Sequence, residues 1–307
     1  MDFLVVGPGA MGCLFAADLG RAGLDVQLLD HRPDRAAEID RCGIRVEEEG
    51  GAYEVRVPAT AGPLESEPEF VLVCVKSHQT VEAARAVRAL LQGDPVVVTL
   101  QNGLGHVEAL EAVFGAGRVL GGVTSEGATL LETGCIRHAG RGETVVGPRE
   151  GAGGAADRLV EAFNRAGFES RSVEHVRDLI WGKLLVNAGI NALTALVRVR
   201  NGRLPDLTGT RRVMERAVAE AAAVAEAKGI RLPYPDPLDR VIQVCRATAG
   251  NVASMLQDVL RERVTEVDYI NGAIAREGAS LGVPTPVNET LTALVRAVQD
   301  SYGDRLT

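Results

Sequence analysis

Four short apolar runs, Phe3–Val6, Val26–Leu29, Phe70–Val75 and Val96–Leu100, each stop at a glycine or a polar residue. Runs of this length without polar alternation fit strands covered on both faces, as in a parallel sheet. Helix-like stretches run from the first glycine loop to about Arg21 and over 80–91. Residues 44–57 instead alternate, with Ile44 and Val46 before a turn at Glu49-Gly50-Gly51 and Tyr53, Val55 and Val57 after it, which predicts a hairpin. Further strand-like pieces are Val119–Val123, Cys135–His138 and Thr144–Val146. A loop at Gly151–Gly154, a helix near 154–166 and a short strand around 168–173 complete the first domain. After about residue 174 strand signals nearly stop. Helical periodicity covers 175–197, 208–228, 237–249, 251–262, 266–281 and 287–301, with glycines and prolines at the breaks. The fold class is therefore α/β: a doubly wound sheet over 1–173, then an all-helical domain over 174–307. The Ala-rich helix 213–227 is apolar all round and reads as core, with room for a homodimer interface.

The first apolar run leads into Gly7-Pro8-Gly9-Ala10-Met11-Gly12, and Asp30 ends the next one, 18 positions after Gly12. Strand, G-x-G-x-x-G, helix, strand and acidic residue is the Rossmann arrangement for a nicotinamide dinucleotide. Its glycines allow a tight turn and close approach of the backbone to a pyrophosphate, and the helix N-terminus offers N–H groups. The motif alone is generic; its context carries the reading. Asp30 suits a ribose 2′-hydroxyl and keeps NADH open, whereas Arg32, with Arg35 beyond it, suits the 2′-phosphate of NADPH. Lys76 and Asn102 lie just past two other strands, on the edge where open parallel sheets bind ligands.

In the helical part, Lys183, Asn187 and Asn191 recur at steps of four within WGKLLVNAGIN at 181–191, so they share one face of an otherwise apolar helix. A polar stripe there is either satisfied internally or meets a ligand. Lys183 as an interface lysine and the asparagines as backbone partners remain the structural alternative.

Charge and cysteines narrow the classes. A formal net charge of −8 argues against nucleic acid or an anionic membrane surface as partner. The five cysteines have no metal-ligand spacing and are odd in number, which fits reduced thiols in the cytoplasm, so no metal site is expected. No stretch reads as long and apolar enough to span a bilayer.

The chain resembles the ketopantoate reductases (2-dehydropantoate 2-reductases) over nearly its full length. The matching pieces are GPGAMG at 7–12, VKSHQT at 75–80, LQNGL at 100–104, GGVTSEGA at 121–128, WGKLLVNAGINALTAL at 181–196, NGRL at 201–204 and SMLQDVLRERVTEVDYINGAI at 254–274. The resemblance implies NADPH-dependent reduction of 2-dehydropantoate to (R)-pantoate, toward pantothenate and coenzyme A, in a cleft between the domains. It implies Lys183 as general acid, and Asn102, Asn187, Asn191, Ser254 and Glu266 as substrate-binding groups. Gly7, Pro8, Gly9, Ala10, Met11, Gly12, Arg32, Lys76, Asn102 and Glu266 are the implied cofactor-facing positions. Two features depart from the family pattern: Arg32 falls one place from the usual 2′-phosphate arginine, and Ala192 replaces a common proline. Two other readings stay open: a reductase of the same fold acting on another branched 2-keto acid, and a non-catalytic dinucleotide-sensing regulator. Ser254 and Glu266 as helix-start residues are the bland alternative for those two positions.

Overall fold

The computed structural model describes residues 1–149 and 154–304. Of the expected loop at Gly151–Gly154, residues 151–153 lie outside the described residues. The chain divides into two compact units: residues 1–101 with 106–176, and residues 102–105 with 177–307. The four-residue segment after the fourth apolar run thus groups with the helices, although sequence order places it in the first domain.

The first unit is built on β1 (Phe3–Val6), α1 (Ala10–Arg21), β2 (Val26–Leu29), α2 (Pro33–Cys42), β3 (Ile44–Glu48), β4 (Gly51–Val55), β5 (Ala59–Thr60), β6 (Phe70–Val73), α3 (Thr80–Leu90), β7 (Val96–Thr99) and α4 (His106–Phe114). It continues with β8 (Val119–Thr124), β9 (Gly127–Glu132), β10 (Cys135–Gly140), β11 (Thr144–Pro148), α5 (Gly154–Arg165) and β12 (Ser170–Ser172). The main sheet runs β12-β11-β8-β7-β6-β1-β2-β5, with β11 antiparallel to β8 and the other pairs parallel. The strands β1, β2 and β6 are buried throughout, which is why their sequences show no polar alternation. Because β2 and β6 flank β1, the connections reverse direction beside β1, and the carboxyl ends there form the crevice such sheets use for ligands.

The expected hairpin forms as β3 and β4, in register Ile44↔Val55. It belongs to a second sheet, β4-β3-β10-β9, which packs on the other side of α1. The pieces between 119 and 147 are therefore shared between two sheets. β9 was not legible as a strand, since most of its residues are half-buried or exposed and it is paired on one side only. The sandwiched α1 is buried from Gly12 to Leu19, Asp18 included, and Asp18 accepts a hydrogen bond from the Tyr53 hydroxyl at 2.5 Å.

The helical unit is organised around α6 (Arg177–Val197), which contacts α7 (Thr208–Ala227), α8 (Pro237–Ala247), α9 (Ser254–Leu260) and α11 (Pro286–Asp300). The expectation that no stretch is long and apolar enough to cross a bilayer needs correction: α6 spans 21 residues with a mean hydropathy of 1.4 over its most apolar window. That window is 67% buried within the protein, as befits a core helix. α7 also differs from the sequence reading. It buries Thr210, Met214, Ala217, Val218, Ala221, Val224 and Ala225, one stripe at helical spacing, and leaves Ala219 and Ala223 exposed. The helix expected over 266–281 is broken. A 3-10 turn covers Val267–Tyr269, Ile270 leaves helical geometry at ψ −90°, and α10 (Asn271–Leu281) starts afresh. A buried amide chain ties these helices together. Asn271 Nδ2 donates to the Ala188 carbonyl at 3.1 Å and to Asn288 Oδ1 at 3.0 Å, and Asn288 Nδ2 donates to the Ala217 carbonyl at 3.0 Å and Glu220 Oε2 at 2.8 Å.

Candidate active site

In the first unit the glycine loop divides its labour. Gly7 has φ +94°, and a Cβ there would sit 2.7 Å from Val75 Cγ1. A Cβ on Gly12 would lie 2.1 Å from the Gly7 carbonyl oxygen. These two positions exclude a side chain because strand, turn and helix meet there. Gly9 differs: a Cβ there would meet nothing within 4 Å, so the chain keeps open space where a pyrophosphate would approach. Pro8 is buried behind the loop, and Ala10 and Met11 form the first turn of α1, whose N-cap Gly9 offers no side-chain cap. The first-turn N–H groups are thus left to an outside acceptor. This loop fits a nicotinamide dinucleotide.

At the end of β2, Asp30 does not face outward. Its side chain is 1% exposed and is held by the Arg35 guanidinium through Nε and, at 2.7 Å, through Nη2. Arg32 is exposed and pairs with Asp34 at 2.6 Å. At the end of β6, Lys76 precedes a 3-10 turn, Ser77–Gln79. Gln101 braces this turn from β7, donating through Nε2 to the Val75 carbonyl at 2.7 Å and to Thr80 Oγ1 at 2.9 Å. Buried His106 approaches the same hydroxyl at 3.3 Å. Sequence reasoning missed this brace, although Gln101 lies within LQNGL.

In the helical unit the polar stripe on α6 acquires neighbours. Lys183 is half-buried, and burial lowers its ammonium to about 8 while the Glu266 carboxylate acts in the opposite sense. Asn187 Nδ2 reaches Asn102 Oδ1 at 3.5 Å. Asn191, 5% exposed, has no side-chain hydrogen-bond partner among the described residues. The segment carrying Asn102 is seated against Tyr269. Leu104 donates its N–H to the Tyr269 carbonyl at 3.0 Å, and Gly103, at φ +99°, lies where a Cβ would be 2.4 Å from that oxygen. Glu266 is 8% exposed at the start of the 3-10 turn that presents Tyr269. Lys183, Asn187, Asn102 and Glu266 are thus gathered in one unit. Ser254 opens α9, is exposed, and is joined to none of them by a hydrogen bond.

His138 sits on β10 with Nε2 2.6 Å from Glu126 Oε2, both side chains almost wholly buried. No cluster of histidine, cysteine or carboxylates suited to a metal occurs among the described residues. The first unit thus offers a glycine loop with room for a pyrophosphate, and the helical unit a lysine of lowered pKa on the same helix face as two amides.

Comparison with known proteins gives a consistent result. Residues 3–151 match the family model for ketopantoate reductase PanE/ApbA, and residues 175–299 match the model for its C-terminal part. A 2-dehydropantoate 2-reductase of Halobacterium salinarum is 38% identical over 97% of this chain and 99% of its own length. The crystal structure of a PanE/ApbA family ketopantoate reductase from Ralstonia eutropha superposes with a TM-score of 0.89 at 33% identity, covering 98% of this chain and 99% of that one. A ternary structure of D-mandelate dehydrogenase with NADH and anilino(oxo)acetate gives a TM-score of 0.90 at 29% identity, with the same coverage.

Proposed function

We propose, from the premise that this chain belongs to the ketopantoate reductase family, that it reduces 2-dehydropantoate to (R)-pantoate with NADPH, a step of pantothenate synthesis. The observation that carries the reading is Lys183: an ammonium lowered to about 8, facing a carboxylate, on the helix whose polar stripe the family motif covers. The loop Gly7–Gly12 and Lys76 would hold the dinucleotide, with Arg32 toward its adenosine end. Held there, reduced nicotinamide would supply the hydride for the substrate carbonyl carbon.

The remaining work belongs to the chain. Lys183 Nζ donates a hydrogen bond to the substrate carbonyl oxygen, stabilises the developing alkoxide and gives up the proton. At neutral pH a lysine of pKa about 8 is still largely protonated, yet it is a far better acid than one at the ordinary value. Glu266 keeps that pKa from falling further and accepts a hydrogen bond from the terminal hydroxyl of the substrate. Asn187 and Asn191 donate to substrate oxygens, with Asn102 orienting Asn187. Ser254 donates to the carboxylate. The five free cysteines support a reducing, cytoplasmic setting.

A second reading is favoured by the D-mandelate dehydrogenase neighbour: the same machinery acting on another branched or aryl 2-keto acid. Steady-state kinetics on 2-dehydropantoate and on 2-keto acids lacking the terminal hydroxyl, with NADPH and NADH, separates the two. The first reading expects kcat/KM highest for 2-dehydropantoate with NADPH. It also expects Glu266→Gln to erase most of the discrimination in favour of the hydroxylated acid. Unchanged discrimination in that variant would remove Glu266 from hydroxyl recognition. Preference for a hydroxyl-free acid in the wild type would transfer the assignment to the second reading.

A further inference from the structure

We propose that Arg35 sets the dinucleotide preference by withdrawing Asp30 from ribose recognition, so that the β2 end accepts an adenosine 2′-phosphate. The inference rests on the dinucleotide reading above and concerns residues of the first unit alone.

A carboxylate at the end of the second strand ordinarily accepts hydrogen bonds from ribose hydroxyls, and it repels a 2′-phosphate. A chain that keeps this carboxylate and still binds the phosphate must turn it away and neutralise it. Both conditions hold for Asp30. Its side chain is 1% exposed. Oδ2 accepts from Arg35 Nε, and Oδ1 accepts from Arg35 Nη2 at 2.7 Å and from the Arg32 N–H at 3.2 Å. The His31 ring nitrogen Nδ1 lies 3.3 Å from that same oxygen. The acceptor capacity of the carboxylate is used within the chain, in the planar two-point pairing that a guanidinium makes and a lysine does not.

Local backbone supplies the geometry. Arg32 is the N-cap of α2 with extended φ −104° and ψ 109°, and Pro33 opens the helix. Arg35 therefore lies in the first turn, one step from folding back over Asp30. With the pair closed, the charge left at the surface is that of Arg32, 53% exposed, beside its still more exposed partner Asp34. An exposed pair of this kind is weakly held, so a phosphate dianion can replace Asp34 as the partner of Arg32. Arg35 is thus a positioning residue: it acts through Asp30.

The test is calorimetric binding of NADP+, NAD+ and adenosine 2′-monophosphate to the full chain, in wild type, Arg35→Met, Asp30→Asn and the double variant, with melting curves to verify folding. The wild type should bind NADP+ more tightly than NAD+. Arg35→Met frees the carboxylate, so the NADP+/NAD+ affinity ratio should fall by about ten-fold or more, and adenosine 2′-monophosphate binding should weaken in step. In the Asp30→Asn background, Arg35→Met should change that ratio by less than about three-fold, because no carboxylate remains to be released. The double variant carries no uncompensated buried charge, which keeps the comparison available if Arg35→Met alone unfolds. An unchanged ratio in folded Arg35→Met, or an equal loss in the Asp30→Asn background, overturns the inference while leaving dinucleotide binding intact. Failure of the wild type to bind either dinucleotide overturns it together with the function it rests on.

Discussion

Replacing Lys183 with methionine is expected to cut turnover sharply and, unusually for a substitution in a helical core, to stabilise the fold. Methionine keeps a long unbranched side chain on α6 and removes a charge that the surroundings penalise. The lysine falls from 10.5 to about 8 on burial, even with Glu266 opposing the change. At 1.36 kcal/mol per pH unit this penalty is roughly 3 kcal/mol, and a half-buried group would realise roughly half to all of it. The pH dependence identifies the cause. Below pH 8 the lysine is protonated in both folded and unfolded chains, and the folded state carries the full penalty. Between about 8 and 10.5 the unfolded chain holds more protons, so wild-type stability rises with pH. Above that range the group is neutral in both states and the penalty is gone. Urea melts of the dinucleotide-free protein should therefore show the Met variant more stable by roughly 1–3 kcal/mol at pH 7, with the gap closing by about pH 10.5. Turnover should drop by about 10²–10⁴-fold. A variant no more stable than wild type at pH 7, or an advantage of equal size at both pH values, would refute the burial argument.

Other changes test the rest of the site and its frame. Wild-type kcat should decline above about pH 8 as Lys183 loses its proton, and Glu266→Gln should move that alkaline limb to lower pH, because the opposing carboxylate charge is gone. An unmoved limb in a pH–rate profile would separate the two residues. Gly12→Ala places a methyl 2.1 Å from the Gly7 carbonyl oxygen, so dinucleotide binding by calorimetry should be lost even if the helical unit still folds. Asn288→Ala strands the Ala217 carbonyl and one donor bond of Asn271 in the core. It should cost about 2–4 kcal/mol in denaturant melts, with little change in KM for a protein that remains folded.

What the sequence revealed, and what it hid, follows from how local each feature is. The strands β1, β2 and β6 were legible because both faces are covered and every residue but the buried Gln27 is apolar. The stripe of Lys183, Asn187 and Asn191 was legible because helical spacing alone aligns it. Its chemistry was not, since spacing leaves a snorkelling lysine open; Glu266, 83 positions away, supplies the electrostatic partner. Asp30 and Arg35 were both visible as candidates for the ribose end. Which way the carboxylate faces depends on the Arg35 rotamer, and no pattern of residue types encodes that. The break at Ile270 was hidden because the run from 266 to 281 keeps helical periodicity across it. The allegiance of Asn102–Gly105 was hidden as well, because it rests on contacts with Tyr269 and Asn187 far along the chain.

That allegiance bears on how the protein could be taken apart or rebuilt. Severing the chain at 176/177, the natural place for a gene fusion or a split reporter, does not yield two complete bodies. The helical fragment would lose Asn102, Gly103 and Leu104, and with them the backbone bond to Tyr269 and the amide facing Asn187. The other fragment would carry a loop whose natural seat is missing. A circular permutant that opens the chain between 105 and 106 keeps the four residues attached through β7 and is the more conservative redesign. A graft of the helical unit onto another scaffold must therefore carry residues 102–105 with it.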